Sequence, residues 1–172
     1  MGMDVYGRNP KNETGEYFRA NVWGWRPIHF LCGFCVEKHE VETGYDDLIP
    51  EKTFDRMSEN SGAGLRSDRK CNLLANHLKY FVDETFSKGV WHQHSPEVGS
   101  TIGVNEDNDF YIDFHNKMYV GSPDPVTGGC KFLTDEELKD PNVEKHSPYT
   151  VEKEDIEEFI VFLKNCGGFQ VC

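Results

Sequence analysis

The chain is short of positive charge: 18 Lys and Arg stand against 30 Asp and Glu, for a formal charge of −12 with histidine neutral. Duplex binding is driven by Lys and Arg that displace counterions from phosphate. This deficit therefore argues against general nucleic-acid affinity and leaves a basic protein or a small ligand as the expected partner. Long apolar runs are missing as well, and no stretch reaches the roughly 18 residues that a membrane-spanning helix requires. Met1 leads into polar residues and not into a charged start with an apolar core, so the cytoplasm is the expected location. Six cysteines, at positions 32, 35, 71, 130, 166 and 172, are too sparse to form a disulfide scaffold for 172 residues. Most are expected to stay reduced and to pack as small core residues, with Cys172 exposed at the end of the chain.

A complete catalytic motif is also lacking. Ser67-x-x-Lys70 has the letters of a serine–lysine nucleophile, but Ser67 is in place to cap a helix, and Lys70 then falls one turn along its solvated face. Glu106, Asp107 and Asp109 crowd together without the glycine and terminal glutamate of a calcium loop.

What is present describes a folded core. Hydrophobic residues make up 37 % of the chain and aromatics 13 %, more than a disordered acidic chain carries. At this length about 70 % of the unfolded surface is buried on folding, enough for one domain spanning residues 1–172. Gly2 to Gly7 and Gly167 to Cys172 have strand character, which makes the two ends candidate neighbours in a sheet. Ile28, Leu31, Cys32 and Cys35 recur at helical spacing behind Pro27, a first-turn residue, and predict a helix over about 27–39. Residues 43–64 are rich in Gly, Asp, Asn and Ser and are expected to be a loop ending in the turn Asn60 to Gly64. Ser67 caps a second helix with the stripe Leu74, Leu78, Phe81 and Val82, stopped at Lys88-Gly89. Phe110, Ile112 and Phe114 alternate with polar residues, and Asn116-Lys117 would turn the chain into Met118 to Val120 as a two-stranded hairpin. Gly121 to Gly129 is a loop, and Leu133 to Lys139 a short acidic helix. Thr150 is placed to cap a third long helix with Ile156, Phe159, Ile160 and Leu163 inward, ended by Gly167-Gly168 in the left-handed region. The expected class is α+β: one domain with a small, mostly antiparallel sheet and three main helices.

Four constellations have the residue types for chemistry. Cys32-x-x-Cys35-x-x-x-His39 places two thiols and an imidazole on one helical face, three zinc ligands that Cys71 or another distant residue would complete; the same positions are also where that helix buries its apolar stripe. His92-x-His94 with Glu97, joined by His115, suits zinc, iron or manganese if 92–94 is a strand, and is otherwise a solvated turn at Pro96. Asn60, Gly62 and Gly64, followed by Arg66 and a helix start, offer backbone N–H groups to a phosphate or carboxylate, although the lysine and spacing of a P-loop are absent. Tyr17, Arg19, Trp23, Trp25 and Arg26 combine aromatic faces with guanidinium groups, a set that stacks on bases and forks onto phosphates, or that packs as an aromatic core.

Several motifs occur together: the opening Met1-Gly2-x-Asp4-Val5-Tyr6-Gly7, the segment Gly15-Glu16-Tyr17-Phe18-Arg19, Asn21-Val22-Trp23-x-Trp25-Arg26-Pro27, the turn Asn60-x-Gly62-x-Gly64-Leu65, and the end from Tyr149 to Cys172. In this order, over about a third of the chain, they resemble an uncharacterised family of bacteriophage and prophage proteins. Many members of that family carry two Cys-x-x-Cys pairs that look like a zinc knuckle. Here the lone pair Cys32 and Cys35 lies in a different region, so no metal is carried over. The family has no activity to carry over, but its context makes a phage accessory protein the expectation, in the cytoplasm of the host bacterium, and no cofactor is expected. The protein would act by binding, with anti-defence as a possible role and a nucleotide-like molecule or a host protein as target. The third and fourth constellations supply the expected ligand set, Tyr17, Arg19, Trp23, Trp25, Arg26, Asn60, Gly62, Gly64 and Arg66, with Arg19 and Gly62 essential and Glu152, Glu154, Glu157 and Glu158 on an outer, solvated helix face. The alternatives are a small metal-dependent enzyme using His92, His94, Glu97 and His115, an acidic mimic that blocks a basic host protein, and a virion assembly factor.

Overall fold

The computed structural model describes residues 2–45, 47–88, 92–95, 100–104, 109–114, 120–121, 125–127 and 131–172, with the backbone alone at 85–88, 92–95, 100–103 and 112–114. In chain order its elements are β1 (Gly2–Gly7), β2 (Tyr17–Asn21), α1 (Val22–Thr43), α2 (Glu51–Arg56), α3 (Asp68–Lys88), β3 (His92–Ser95), β4 (Ser100–Val104), β5 (Phe110–Phe114), β6 (Thr150–Val151), α4 (Lys153–Asn165) and β7 (Phe169–Val171). Short 3-10 turns lie at Glu13–Gly15 and Glu137–Lys139. This is the expected α+β class with three main helices, but the strands form two antiparallel sheets and not one, ordered β2-β1-β7 and β3-β4-β5-β6.

The two ends of the chain meet, as their strand character predicts. Met3 and Val5 are buried and alternate with the half-buried Gly2 and Asp4 and the exposed Tyr6, the period of a strand with one side on the core. Val5 lies opposite Val171 and Gly7 opposite Phe169, while Asp4 and Cys172 exchange both backbone hydrogen bonds, at 3.1 and 2.7 Å. The other edge of β7 is taken by the segment around Ala63, through Val171 N–H to the Ala63 carbonyl and Phe169 N–H to the Leu65 carbonyl, each 2.7 Å. Gly167, at φ +60, turns the chain from α4 into β7, and a Cβ there would stand 2.1 Å from the Asn9 carbonyl oxygen. Glycine is therefore required both by the left-handed backbone and by the close approach.

One buried cluster joins both sheets and the three long helices. Its centre is aromatic: Phe159 of α4 lies 5.0 Å from Phe18, 6.0 Å from Phe162 and 6.2 Å from Phe169 between ring centroids, and Trp25 meets it edge-on at 5.7 Å. The α4 stripe Ile156, Phe159, Ile160 and Leu163 is buried as its spacing predicts, and so are Leu74, Leu78 and Val82 of α3 and Ile28, Leu31, Cys32 and Cys35 of α1.

The boundaries differ more. Helix α1 starts at Val22 and not near Pro27, because the Asn21 side chain accepts from the Gly24 N–H at 2.7 Å and caps the helix there. Pro27 is then its sixth residue, past the first turn. The expected loop 43–64 contains α2, anchored by buried Leu48, Ile49 and Met57 and by His29, whose ring stacks on Phe54 and whose Nε2–H donates to the Phe54 carbonyl at 2.8 Å. Thr150 caps nothing: with Val151 it pairs with Tyr111 and Phe110, and α4 begins after Glu152. The short acidic helix shrinks to the 3-10 turn behind Thr134, whose hydroxyl and N–H both donate to Glu137. Strand β5 is present, but its described partners are β4 and β6, and Val120 bridges Phe132 and His146. The expected turn at Asn116-Lys117, with Met118 and Tyr119, and the stop at Gly89 lie outside the described residues.

Deleting Gly168 to Cys172 removes the middle partner of this arrangement together with fully buried Phe169 and Val171. Burial of two such side chains contributes on the order of 3–6 kcal/mol, against a total stability of about 5–15. The truncated chain is expected to lose its cooperative thermal transition by circular dichroism, and a soluble product with a sharp transition would contradict this.

Candidate functional site

Strand β2 carries two of the expected ligand residues on its outward face. Tyr17 and Arg19 are exposed there, while Phe18 between them points into the core. Asp4, opposite Arg19 in the ladder, answers both: the Tyr17 hydroxyl donates to its carboxylate, and Arg19 Nε stands 3.7 Å away. That hydrogen bond raises the Tyr17 phenol above its ordinary range, with desolvation and the Asp4 charge adding in the same direction.

On α1 the helical period separates the two expected tryptophans, since residues two apart point about 200° away from each other. Trp25 is 1 % exposed, and its indole N–H donates to the Met57 carbonyl at 2.8 Å, so it belongs to the core. Trp23 is exposed and packs on Tyr149 at 5.2 Å and Phe132 at 5.9 Å, with the Arg26 guanidinium 5.4 Å over the Tyr149 ring.

The glycine turn lies elsewhere. The Gly62 N–H donates to the Val171 carbonyl at 2.7 Å, and a Cβ on Gly64 would stand 2.3 Å from the Phe169 carbonyl oxygen. These glycines let the chain close on β7, and the Gly62 donor belongs to the ladder. Asn60 and Arg66 are exposed on either side of the turn. The start of α3 behind it holds Ser67 as cap, and Asp68 pairs with Lys11 at 2.7 Å. With β2 at one edge of the sheet and this segment beyond β7 at the other, the structure does not bring the two halves of the expected ligand set together.

Cys32 and Cys35 are fully buried, and burial pushes the Cys32 thiol up to about 12 and the Cys35 thiol well above its usual value. Both pack as core side chains of α1. His39 turns away from them to Asp47 and His77. Among the described residues, no three His, Cys, Asp or Glu side chains are grouped to hold a metal ion. His92 and His94 lie opposite Gly103 and Thr101 in the β3–β4 ladder, but their side chains, and all of Glu97 and His115, lie outside the described residues.

A different site forms where β2 passes α4. A cleft of about 540 Å³ opens between them, with Tyr17 and Thr14 on one wall, Glu154, Glu157, Glu158 and Val161 on the other, and Phe18 and Phe162 at its floor. The four α4 residues follow i, i+3, i+4 and i+7, so they form one stripe on the helix face opposite the core. Lys153 offsets Glu157 at 3.6 Å, while Glu154 and Glu158 make no ion pair among the described residues. Beside them, burial and the Glu154 charge hold the Asp155 carboxyl above its ordinary range. A smaller cleft of about 270 Å³ between α3 and α4 shares Glu157 and Val161 and ends at Lys79 and Lys164. Tyr17 is the one expected ligand residue in the larger cleft; the acidic stripe was legible as an outer helix face, but its apposition to β2 is non-local and leaves no trace in the sequence. No protein-family model, no curated protein and no solved structure matches this chain.

Trp25→Phe is expected to lower stability by about 1–3 kcal/mol in urea denaturation, because it leaves the buried Met57 carbonyl without its donor. Arg19→Ala should leave the midpoint nearly unchanged, and equal losses from both variants would refute the division into core and surface.

Proposed function

We propose that this chain is a phage accessory protein that acts by binding, and that its target is a basic segment of a host protein seated between Tyr17 and α4. One observation carries the reading: an open cleft with an apolar floor, three carboxylates along one wall and a tyrosine on the other. Lys and Arg side chains suit such a cleft, laying their aliphatic stems on the floor and their charges among the carboxylates. The net charge of −12 steers a basic partner toward the surface and repels phosphate. The phage setting rests on the terminal motifs and their resemblance to a bacteriophage family. In that setting, covering a basic host surface is an anti-defence device, the acidic-mimic form of the binding hypothesis.

A nucleotide-like ligand is the second reading, and the exposed Trp23 beside Arg26 on the Tyr149 ring supports it. The two differ in which residues they need. Titration calorimetry with an oligolysine peptide, at low salt, is expected to show binding that weakens at least about tenfold in the triple variant Glu154→Gln, Glu157→Gln, Glu158→Gln and falls steeply with added salt. Arg26→Ala should leave it unchanged. Binding of a nucleoside phosphate that Arg26→Ala abolishes, with no response to oligolysine, would overturn the first reading in favour of the second.

A further inference from the structure

His39 is the one buried polar or charged side chain among the described residues, 8 % exposed near the end of α1. Its Nε2 lies 3.1 Å from Asp47 Oδ1, and its Nδ1 lies 3.4 Å from Nε2 of His77 on α3, with the rings nearly perpendicular at 5.6 Å. A carboxylate only accepts, so Nε2 of His39 carries the hydrogen and Nδ1 is left as an acceptor for the His77 Nε2–H. The result is a directed chain, His77 to His39 to Asp47, that ties the end of α1 and the segment before α2 to the face of α3. The next residues, Leu48 and Ile49, are core anchors of that segment.

The chain tolerates one proton and not two. The first proton is held on Nδ1 of His39, whose Nε2–H faces the Asp47 carboxylate at 3.1 Å, and the His77 ring then offers its Nε2 as acceptor. The second proton goes to His77, where it sets N–H against N–H at 3.4 Å and places two imidazolium rings in contact. Around His77 the charges are mixed: Glu42 favours its charged form, while His39 and Lys38 oppose it. On α1, Lys38 and Glu42 are paired at 2.6 Å, and Lys38 also lies over the Tyr80 ring of α3, near Glu84. Asp47 is shared with Lys70 of α3, which donates to its backbone carbonyl and stands 3.9 Å from its carboxylate.

We propose that Asp47, His39 and His77 form a proton-operated clasp, closed while at most one imidazole is charged and opened when both are. Burial, with Lys38 and His39 acting the same way against Glu42, lowers the His77 pKa. A folded value below the unfolded one near 6.5 means that the unfolded chain binds more protons in that window. The clasp's contribution is therefore full above about pH 6.5 and is lost as pH falls through the lowered folded value.

Hydrogen exchange of the full chain, corrected for intrinsic rates, is expected to show protection of residues 37–43 and 47–49 falling about tenfold or more between pH 7.5 and 5.0, with α4 and β7 unchanged. His77→Gln keeps a donor near the Nε2 position and removes the charge, so its protection should not respond to pH. An unchanged wild type, or an equal acid response in His77→Gln, overturns the proposal. If that variant does not fold, the wild-type His77 ring resonances decide: the clasp requires His77 to titrate below the ordinary histidine value, and titration at or above that value refutes it.

Discussion

β7 is hydrogen-bonded along both edges, and the rest of the molecule is arranged so that it can be. On one side lies β1, the start of the chain; on the other, the segment around Ala63. Phe169 and Val171 fill the space beneath it against Phe159 and Phe162 of α4. The close approach of three backbone segments leaves no room for side chains at the crossing points, which is the physical reason for glycine at 64 and 167. The same constraint fixes α4 against the sheet, because only the turn at Gly167 and Gly168 separates helix from strand. The cleft is a consequence: β2 follows from pairing with β1, and its outward Tyr17 then faces the acidic stripe of α4.

Elements whose information is local were legible in the sequence. The stripes of α3 and α4, the Ser67 cap, the left-handed glycines after α4 and the strand character of both ends are carried by neighbouring residues, and all are found. Where two local signals compete, the sequence alone could not rank them. Val22 to Arg26 has the aromatic and β-branched content of a strand, but the Asn21 cap extends α1 through it. Thr150 is a good cap residue, yet a ladder with Tyr111, almost 40 residues earlier, claims it. Helix α2 is too short for a periodic signal, and its place is set by tertiary anchors at Leu48, Ile49 and Met57.

The candidate site shows the same limit more sharply. Trp23 and Trp25 are equivalent as composition and opposite as structure, one exposed and one spending its indole N–H inside the core. In the Asn60 to Gly64 turn, Gly64 accommodates the Phe169 carbonyl and Gly62 takes a left-handed φ of +70, both set by where the chain meets β7 and not by the turn's own sequence. Arg19 faces Asp4 through strand register, a relation that no sequence window contains. His39 was visible only as a neighbour of Cys32 and Cys35, while its partners Asp47 and His77 come from two other elements.

The central claim is that the two ends of the chain hold the fold through β7. Native-state hydrogen exchange across a series of low denaturant concentrations tests it at single amides. The amides of Asp4, Phe169, Val171 and Cys172, all donors in this arrangement, should exchange only through global unfolding, with the same free energy and denaturant dependence as the slowest amides of α3 and α4. Exchange of those four through local openings of a few kcal/mol, while α3 and α4 stay protected, would show that the strand is peripheral and contradict the account.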